Sequence, residues 1–185
     1  YFYVREQWQN QVKAHAKASL QALQARINPH FLFNSMNTIA ALVRKDPKTA
    51  EKAIEDLSDL FRAALGDENT HSTLADELQI ARQYLAIEQL RFGERLRIQW
   101  QLADDLPMHC RMARLLLQPL LENAVVHGIA LLTEGGEIVF SAKKEKNKLL
   151  LQVQNPIATD RCHHGFGHAL ESVQQRIALF FGNDA

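Results

Sequence analysis

An α+β fold, with a helical hairpin leading a domain of sheet backed by helices, follows from three observations. Apolar residues recur at spacings of three and four through most of residues 5 to 92. The period then switches to strict alternation, with Leu96, Ile98, Trp100 and Leu102 between Arg97, Gln99 and Gln101. Alternation returns after Gly135-Gly136, and a last helical pattern closes the chain. The order places a lead-in and hairpin at residues 1–68 and a second domain at 69–185.

Residues 5 to 44 read as one long helix. Trp8, Val12, Ala16 and Leu20 have near-heptad spacing, which suits a coiled-coil lead-in. The pattern continues through Leu23, Ile27, Phe31 and Asn34, with Leu32, Phe33, Met36, Ile39, Ala40 and Val43 extending the apolar surface. Pro29 interrupts it. A proline inside a helix removes a donor, drives its ring against the carbonyl four residues back and costs roughly 3 kcal/mol, so a kink or local unwinding is expected just before His30.

Asp46-Pro47 supplies an N-cap and a first-turn proline for a second helix reaching Leu65, with Ile54, Leu57, Phe61 and Ala64 on its apolar stripe and Gly66 stopping it. The two helices carry more apolar surface than a hairpin can cover. Pairing with a second copy into a four-helix bundle would cover it, as would packing on the rest of the same chain. Thr73 and Asp76 form a capping box opening a third helix through Leu78, Ala81, Leu85 and Leu90 to Gly93.

A fourth helix is expected from Arg111 to His127, then two strands, one with Ile138, Phe140 and Ala142 on one face and one with Leu149, Leu151 and Val153, joined by a turn at Lys146-Asn147-Lys148. Asn155 to Gly167 has no period and reads as a loop. The last helix spans Ala169 to Phe181.

Lysine plus arginine and aspartate plus glutamate number 21 each, so there is no basic excess to bind nucleic acid through counterion release. Cys110 and Cys162 are too few for a disulfide framework or a zinc pair, which fits a reducing compartment. The opening Tyr1-Phe2-Tyr3-Val4-Arg5 has the aromatic-then-cation character of a membrane edge, and we expect a spanning segment upstream of residue 1.

Two constellations carry chemistry. His30 is either a phosphoryl acceptor, since a neutral imidazole is a good nucleophile near pH 7.5, or a surface histidine beside a chance proline. In the expected fourth helix, Leu116, Leu120, Asn123 and His127 fall on one stripe that turns from apolar to polar, as a helix does where it leaves the core and lines a cavity; Glu122 lies beside it. Asn123 offers an oxygen for magnesium and His127 a hydrogen-bonding group for phosphates, unless both are ordinary helix-end residues before Gly128. Gly165-Phe166-Gly167 opens the last helix, where backbone N–H groups and small residues suit phosphate. Cys162-His163-His164 lacks a matching ligand pair and reads as a polar loop.

Together these pieces resemble the LytS-type sensor histidine kinases, with AlgZ/FimS-like proteins the closest subtype. The resemblance rests on the box Ile27-Asn28-Pro29-His30-Phe31-Leu32-Phe33-Asn34, on the stretch from Tyr84 to Phe92, and on the stretch from Leu117 to Gly128. It implies His30 as phosphoacceptor, Asn123 as magnesium ligand, Glu122 and His127 as its polar neighbours, and Gly165 and Gly167 on the phosphate side of bound ATP. It also implies a homodimeric four-helix bundle, a Bergerat-type (GHKL) ATP-binding sandwich, a membrane-anchored sensor upstream with this part in the bacterial cytoplasm, and a response-regulator partner of the LytTR type.

The departures are specific. Asn155-Pro156-Ile157 stands where such domains carry an aspartate that reads adenine, flanked by glycines; Asn155 can still accept a hydrogen bond but lacks the charge. Ala169 replaces a third glycine. Phe31, not an acid, follows His30, which leaves Glu122 as the candidate to polarise it. The family's closing strands are missing before Ala185. A dimeric scaffold or phosphatase-biased protein with a degenerate ATP site is the alternative these departures motivate, whereas a serine kinase on the same fold would leave His30 without a purpose.

Overall fold

The computed structural model describes residues 28–66, 71–157 and 167–181; the lead-in helix expected before Asn28 and the loop bearing Gly165 lie outside them. Helix α1 runs Pro29–Leu42 and α2 Pro47–Leu65, as the hairpin expected from sequence. The proline effect takes a definite form. Asn28 is extended (φ −61°, ψ 111°), its side chain accepts the His30 N–H, and Pro29 occupies the first turn, where its missing donor costs nothing. So Pro29 opens α1 directly after an extended Asn28, just before His30.

Asp46 caps α2 as expected, accepting the Thr49 N–H at 3.1 Å, and the hydrogen bonds from Thr49 hold its carboxyl below the ordinary value. β1 (Ser72–Thr73) leads into α3 (Leu74–Phe92), whose capping box is complete: Thr73 and Asp76 exchange side-chain and backbone bonds. β2 (Leu96–Leu102) follows, then β3 (Arg111–Met112), α4 (Gln118–Asn123), β4 (Gly136–Glu145), β5 (Lys148–Gln154) and α5 (Gly167–Phe181). Gly135 makes the entry to β4, at φ +71°, where a Cβ would lie 2.0 Å from the Arg95 carbonyl oxygen.

The sheet has the order β2-β4-β5, with β2 parallel to β4 and β5 antiparallel to it. Its register pairs Ile98 with Ile138 and Trp100 with Phe140. The expected face of β4 is the core: Ile138 and Phe140 are fully buried and Ala142 nearly so. Leu78, Ala81, Leu85, Leu121 and Val125 join them in one cluster. Each large apolar side chain so buried contributes about 1.5–3 kcal/mol.

Two features differ from the expected layout. First, the segment Arg111–Leu117 is not helical. Arg111–Met112 pairs antiparallel with Ser72–Thr73, Leu115 has φ +54°, and the helix starts only at Gln118. The cause is Glu77 of α3. Its carboxylate, 1% exposed, accepts the N–H groups of Leu115, Leu116 and Leu117 at 2.8, 2.7 and 3.2 Å, capping α4 from 38 to 40 residues away. Burial pushes the Glu77 carboxyl up, and those backbone donors pull it back.

Second, the hairpin packs on its own chain. Phe31, Ile39, Ala50, Ala53, Leu57 and Leu60 enter the same cluster as α3, with Phe31 against the Tyr84 ring at 4.9 Å between centroids. Gln83 adds donors to Asp56 (3.2 Å) and Asp59 (2.9 Å) across the seam. A second apolar strip stays outside: Phe33, Met36, Val43 and Ile54 are about half to two-thirds exposed. No helix among the described residues is long and apolar enough to cross a membrane.

Candidate functional site

His30 stands exposed on the first turn of α1. The Asn34 side-chain amide, one turn on, lies 3.2 Å from both ring nitrogens, and an amide N–H can be accepted only by the nitrogen that carries no proton. Phe31, the next residue, is clamped on Tyr84 and so fixes His30 beside the C-terminal half of α3.

What lies beneath is a buried acid network. Glu88 is 3% exposed, sits one turn after Tyr84, accepts a hydrogen bond from the Tyr84 hydroxyl and one from Arg91 Nε at 2.8 Å. Burial raises its carboxyl above the ordinary range; Arg91 opposes that, and so does the charge of His30. Burial likewise pushes the Tyr84 hydroxyl well above its ordinary value, with Glu88 and Glu122 adding to the shift.

Glu122, near the end of α4, belongs to the same network. It accepts the Gln118 amide at 2.7 Å; burial raises its carboxyl, the Glu88 charge raises it further, and Arg176 of α5 opposes both. The Glu88 carboxylate of α3 and the Glu122 carboxyl of α4 are thus near enough for the charge of the first to act on the second. Glu88, within a stretch the sequence comparison had singled out whole, is the acid whose carboxyl feels His30. A glutamate at a core-facing helical position beside Arg91 was the available signal.

Asn123 is the last residue of α4 and is half-buried. Beyond it the chain makes one π-type turn, Ala124–Gly128, in which the Ile129 N–H reaches both Ala124 and Val125 carbonyls. The wide turn breaks the regular spacing assumed for the stripe, so only Leu120 and Asn123 of its four members are on the α-helix, and His127 lies in the π turn. Gly128 at its end meets Asn155: a Cβ there would come within 2.5 Å of the Asn155 amide nitrogen and 2.9 Å of the Pro156 carbonyl oxygen. The Asn155 amide donates to that carbonyl at 2.9 Å. Asn155 therefore packs against the end of the π turn that carries His127, Asn123 ends the α-helix before that turn, Gly167 opens α5, and Gly165 lies outside the described residues.

The donor set suits magnesium with a nucleotide better than a metal alone. No group of three or more His, Cys, Asp or Glu side chains that could hold an ion occurs among the described residues. An asparagine oxygen at a helix end, with phosphates supplying the other ligands, is the arrangement magnesium accepts.

Comparison with known proteins places the same residues in context. Residues 18–96 match the family described as histidine kinase. The chain is 33% identical over 179 residues to the sensor histidine kinase BtsS of Escherichia coli K12, covering 96% of this chain and 32% of BtsS. It is 36% identical over 182 residues to the sensor protein LytS of Staphylococcus haemolyticus (91% and 31%) and 34% identical over 172 residues to the sensor histidine kinase YesM of Bacillus subtilis (90% and 30%). The chain spans about a third of the length of these relatives.

Proposed function

Starting from this kinship with the sensor histidine kinases, we propose that the chain is the kinase core of such a sensor: His30 takes the γ-phosphoryl group of Mg-ATP and passes it to an aspartate of a response regulator. The observation that supports the reading is the exposed His30 at the head of α1, with the Asn34 amide 3.2 Å from both of its ring nitrogens.

Asn123 would hold magnesium, whose charge neutralises the oxygens of the transferred group. Glu122 and His127 would orient water and phosphate around it, and Gly165 and Gly167 would let backbone N–H groups approach the phosphates. Asn155, packed on Gly128, would accept the adenine amino group. Phosphoryl transfer asks mainly for positioning and charge neutralisation, so freedom of the hairpin about residues 66 to 73 belongs to the mechanism.

The whole protein would be a homodimer, its bundle formed on the exposed strip of α1 and α2. It would be anchored by a membrane segment, with this part in the bacterial cytoplasm and the catalytic domain a GHKL-type sandwich. A LytTR-type regulator is the partner the resemblance implies. A second reading, a dimeric scaffold without a working ATP site, draws on Asn155-Pro156 in place of an aspartate with glycines. Calorimetric titration with ATP separates the two: the kinase binds it only with magnesium and loses at least about tenfold in affinity in Asn123→Ala, whereas absence of magnesium-dependent binding supports the scaffold.

A further inference from the structure

Helix α4 is short and is not capped by its own residues. It runs Gln118–Asn123, its N-cap residue Leu117 makes no side-chain bond, and Pro119 brings no N–H to the first turn. The segment before it cannot hold its own shape either. Leu115 sits at φ +54°, in the left-handed region that a leucine rarely adopts, so the approach to α4 depends on a partner from outside.

That partner is Glu77 of α3. Its buried carboxylate accepts the successive N–H groups of Leu115, Leu116 and Leu117 at 2.8, 2.7 and 3.2 Å, and the Ser72 hydroxyl donates a further bond. Successive backbone N–H groups turned to one side form a concave donor set that suits an anion, and here the anion is built into the chain. Two other ties of the segment end one residue earlier: Arg176 donates to the Arg114 carbonyl at 2.9 Å, and Arg114 donates to the Arg62 carbonyl at 3.2 Å. The donors at the mouth of α4 go to Glu77.

On the reading of Asn123 as magnesium ligand, we infer that Glu77 is a positioning residue for Asn123, fixing the start of α4 on α3 so that the far end of the helix presents the asparagine oxygen to magnesium-bound nucleotide. Glu77 acts through the helix, not by contact. Six residues of α-helix span about 9 Å and move as one body, so a shift of the first turn carries Asn123 with it. Leu121 holds α4 in the core cluster with Leu78 and Leu85 of α3, but apolar packing is non-directional; the bonds to Glu77 set the helix's rotation and its place along its axis. Magnesium asks for near-octahedral ligands at about 2.0–2.1 Å and tolerates little of such a shift. A carboxamide cannot replace the carboxylate, because Glu77→Gln sets one oxygen and one NH2 group against three N–H donors.

The test is calorimetric titration of the full chain with ATP and magnesium, comparing wild type, Glu77→Gln, Asn123→Ala and the double variant. Glu77→Gln should weaken binding about tenfold with the number of sites per chain kept, and raise the magnesium concentration for half-maximal binding to a similar degree. In the Asn123→Ala background the same substitution should add less than about twofold, because both changes remove one interaction. A merely structural role for Glu77 predicts fewer competent sites at wild-type affinity, or losses that multiply in the double variant. Either result overturns the inference, as does wild-type affinity in Glu77→Gln. Should the glutamine variant not fold, Glu77→Asp, which keeps the charge and withdraws it by one methylene, takes its place: a loss of about threefold or more, absent from the Asn123→Ala background, is expected, and wild-type affinity overturns the inference. A wild type without magnesium-dependent binding, or an Asn123→Ala variant that binds like wild type, overturns instead the reading of the site on which the role of Glu77 depends.

Discussion

Glu77, Glu88 and Glu122 lie in or at the edge of the core, and burial raises the carboxyl of each above its ordinary value near 4.5. A carboxyl that titrates higher in the folded than in the unfolded chain binds more protons when folded, so stability is greatest below that window and falls as pH rises through it. The capping aspartates Asp46 and Asp76 run the other way, with carboxyls held below 3.8 by hydrogen bonds, and lose their contribution only in stronger acid. Above about pH 4.5 these glutamates favour a stability that falls with rising pH, and we expect the denaturant midpoint to fall as pH rises there. Glu122→Gln keeps an acceptor for Gln118, removes one charge from the pair with Glu88, and should flatten that slope and raise the midpoint at pH 7.5. A midpoint that climbs with pH over the same range would contradict the assignment.

At the scale of elements, the amphipathic hairpin divides its apolar surface between two uses. Phe31, Ile39, Leu57 and Leu60 go to α3 of the same chain, while Phe33, Met36, Val43 and Ile54 remain outside, beside a groove of about 380 Å³ at the hairpin turn lined by Val43, Pro47, Ala50 and Ile54. This exposed strip is where the proposed dimer would form its bundle. Phe33→Glu with Ile54→Glu should reduce sedimentation from dimer to monomer without lowering the melting temperature by more than a few degrees, since neither side chain is in the core. A dimer that survives both substitutions would place the interface elsewhere. Caps, stops and the two-residue alternation of β2 and β4 were legible because they are written locally: Asp46-Pro47, Thr73 with Asp76, Ile138 with Phe140. The start of α4 was not. Periodicity through Leu116 and Leu120 suggested a helix from Arg111, but the backbone there is held by Glu77, a partner some 38 residues away, and a cap of that kind leaves no signal in a sequence window. The π turn at Ala124–Gly128 was equally invisible, because one inserted residue in a helix changes no composition.

For the molecule as a whole, the head of α1 meets α3 through Phe31 on Tyr84, and the charges of Glu88 and Glu122 act on the Tyr84 hydroxyl from α3 and α4. The helix start was written in Asn28-Pro29: Asn28 caps, Pro29 opens the helix, and His30 is exposed on its first turn. The contact of Phe31 with Tyr84 was hidden because it depends on packing of the hairpin on α3, which spacing along the chain does not encode. The proposal gives His30 the role of phosphoacceptor and Asn123 that of magnesium ligand. Incubating the chain with γ-labelled ATP and magnesium, then challenging the labelled protein with acid and alkali, tests both roles at once. The account predicts acid-labile, alkali-stable label in wild type and none in His30→Gln or Asn123→Ala; no label in wild type, or label that persists in His30→Gln, would contradict it.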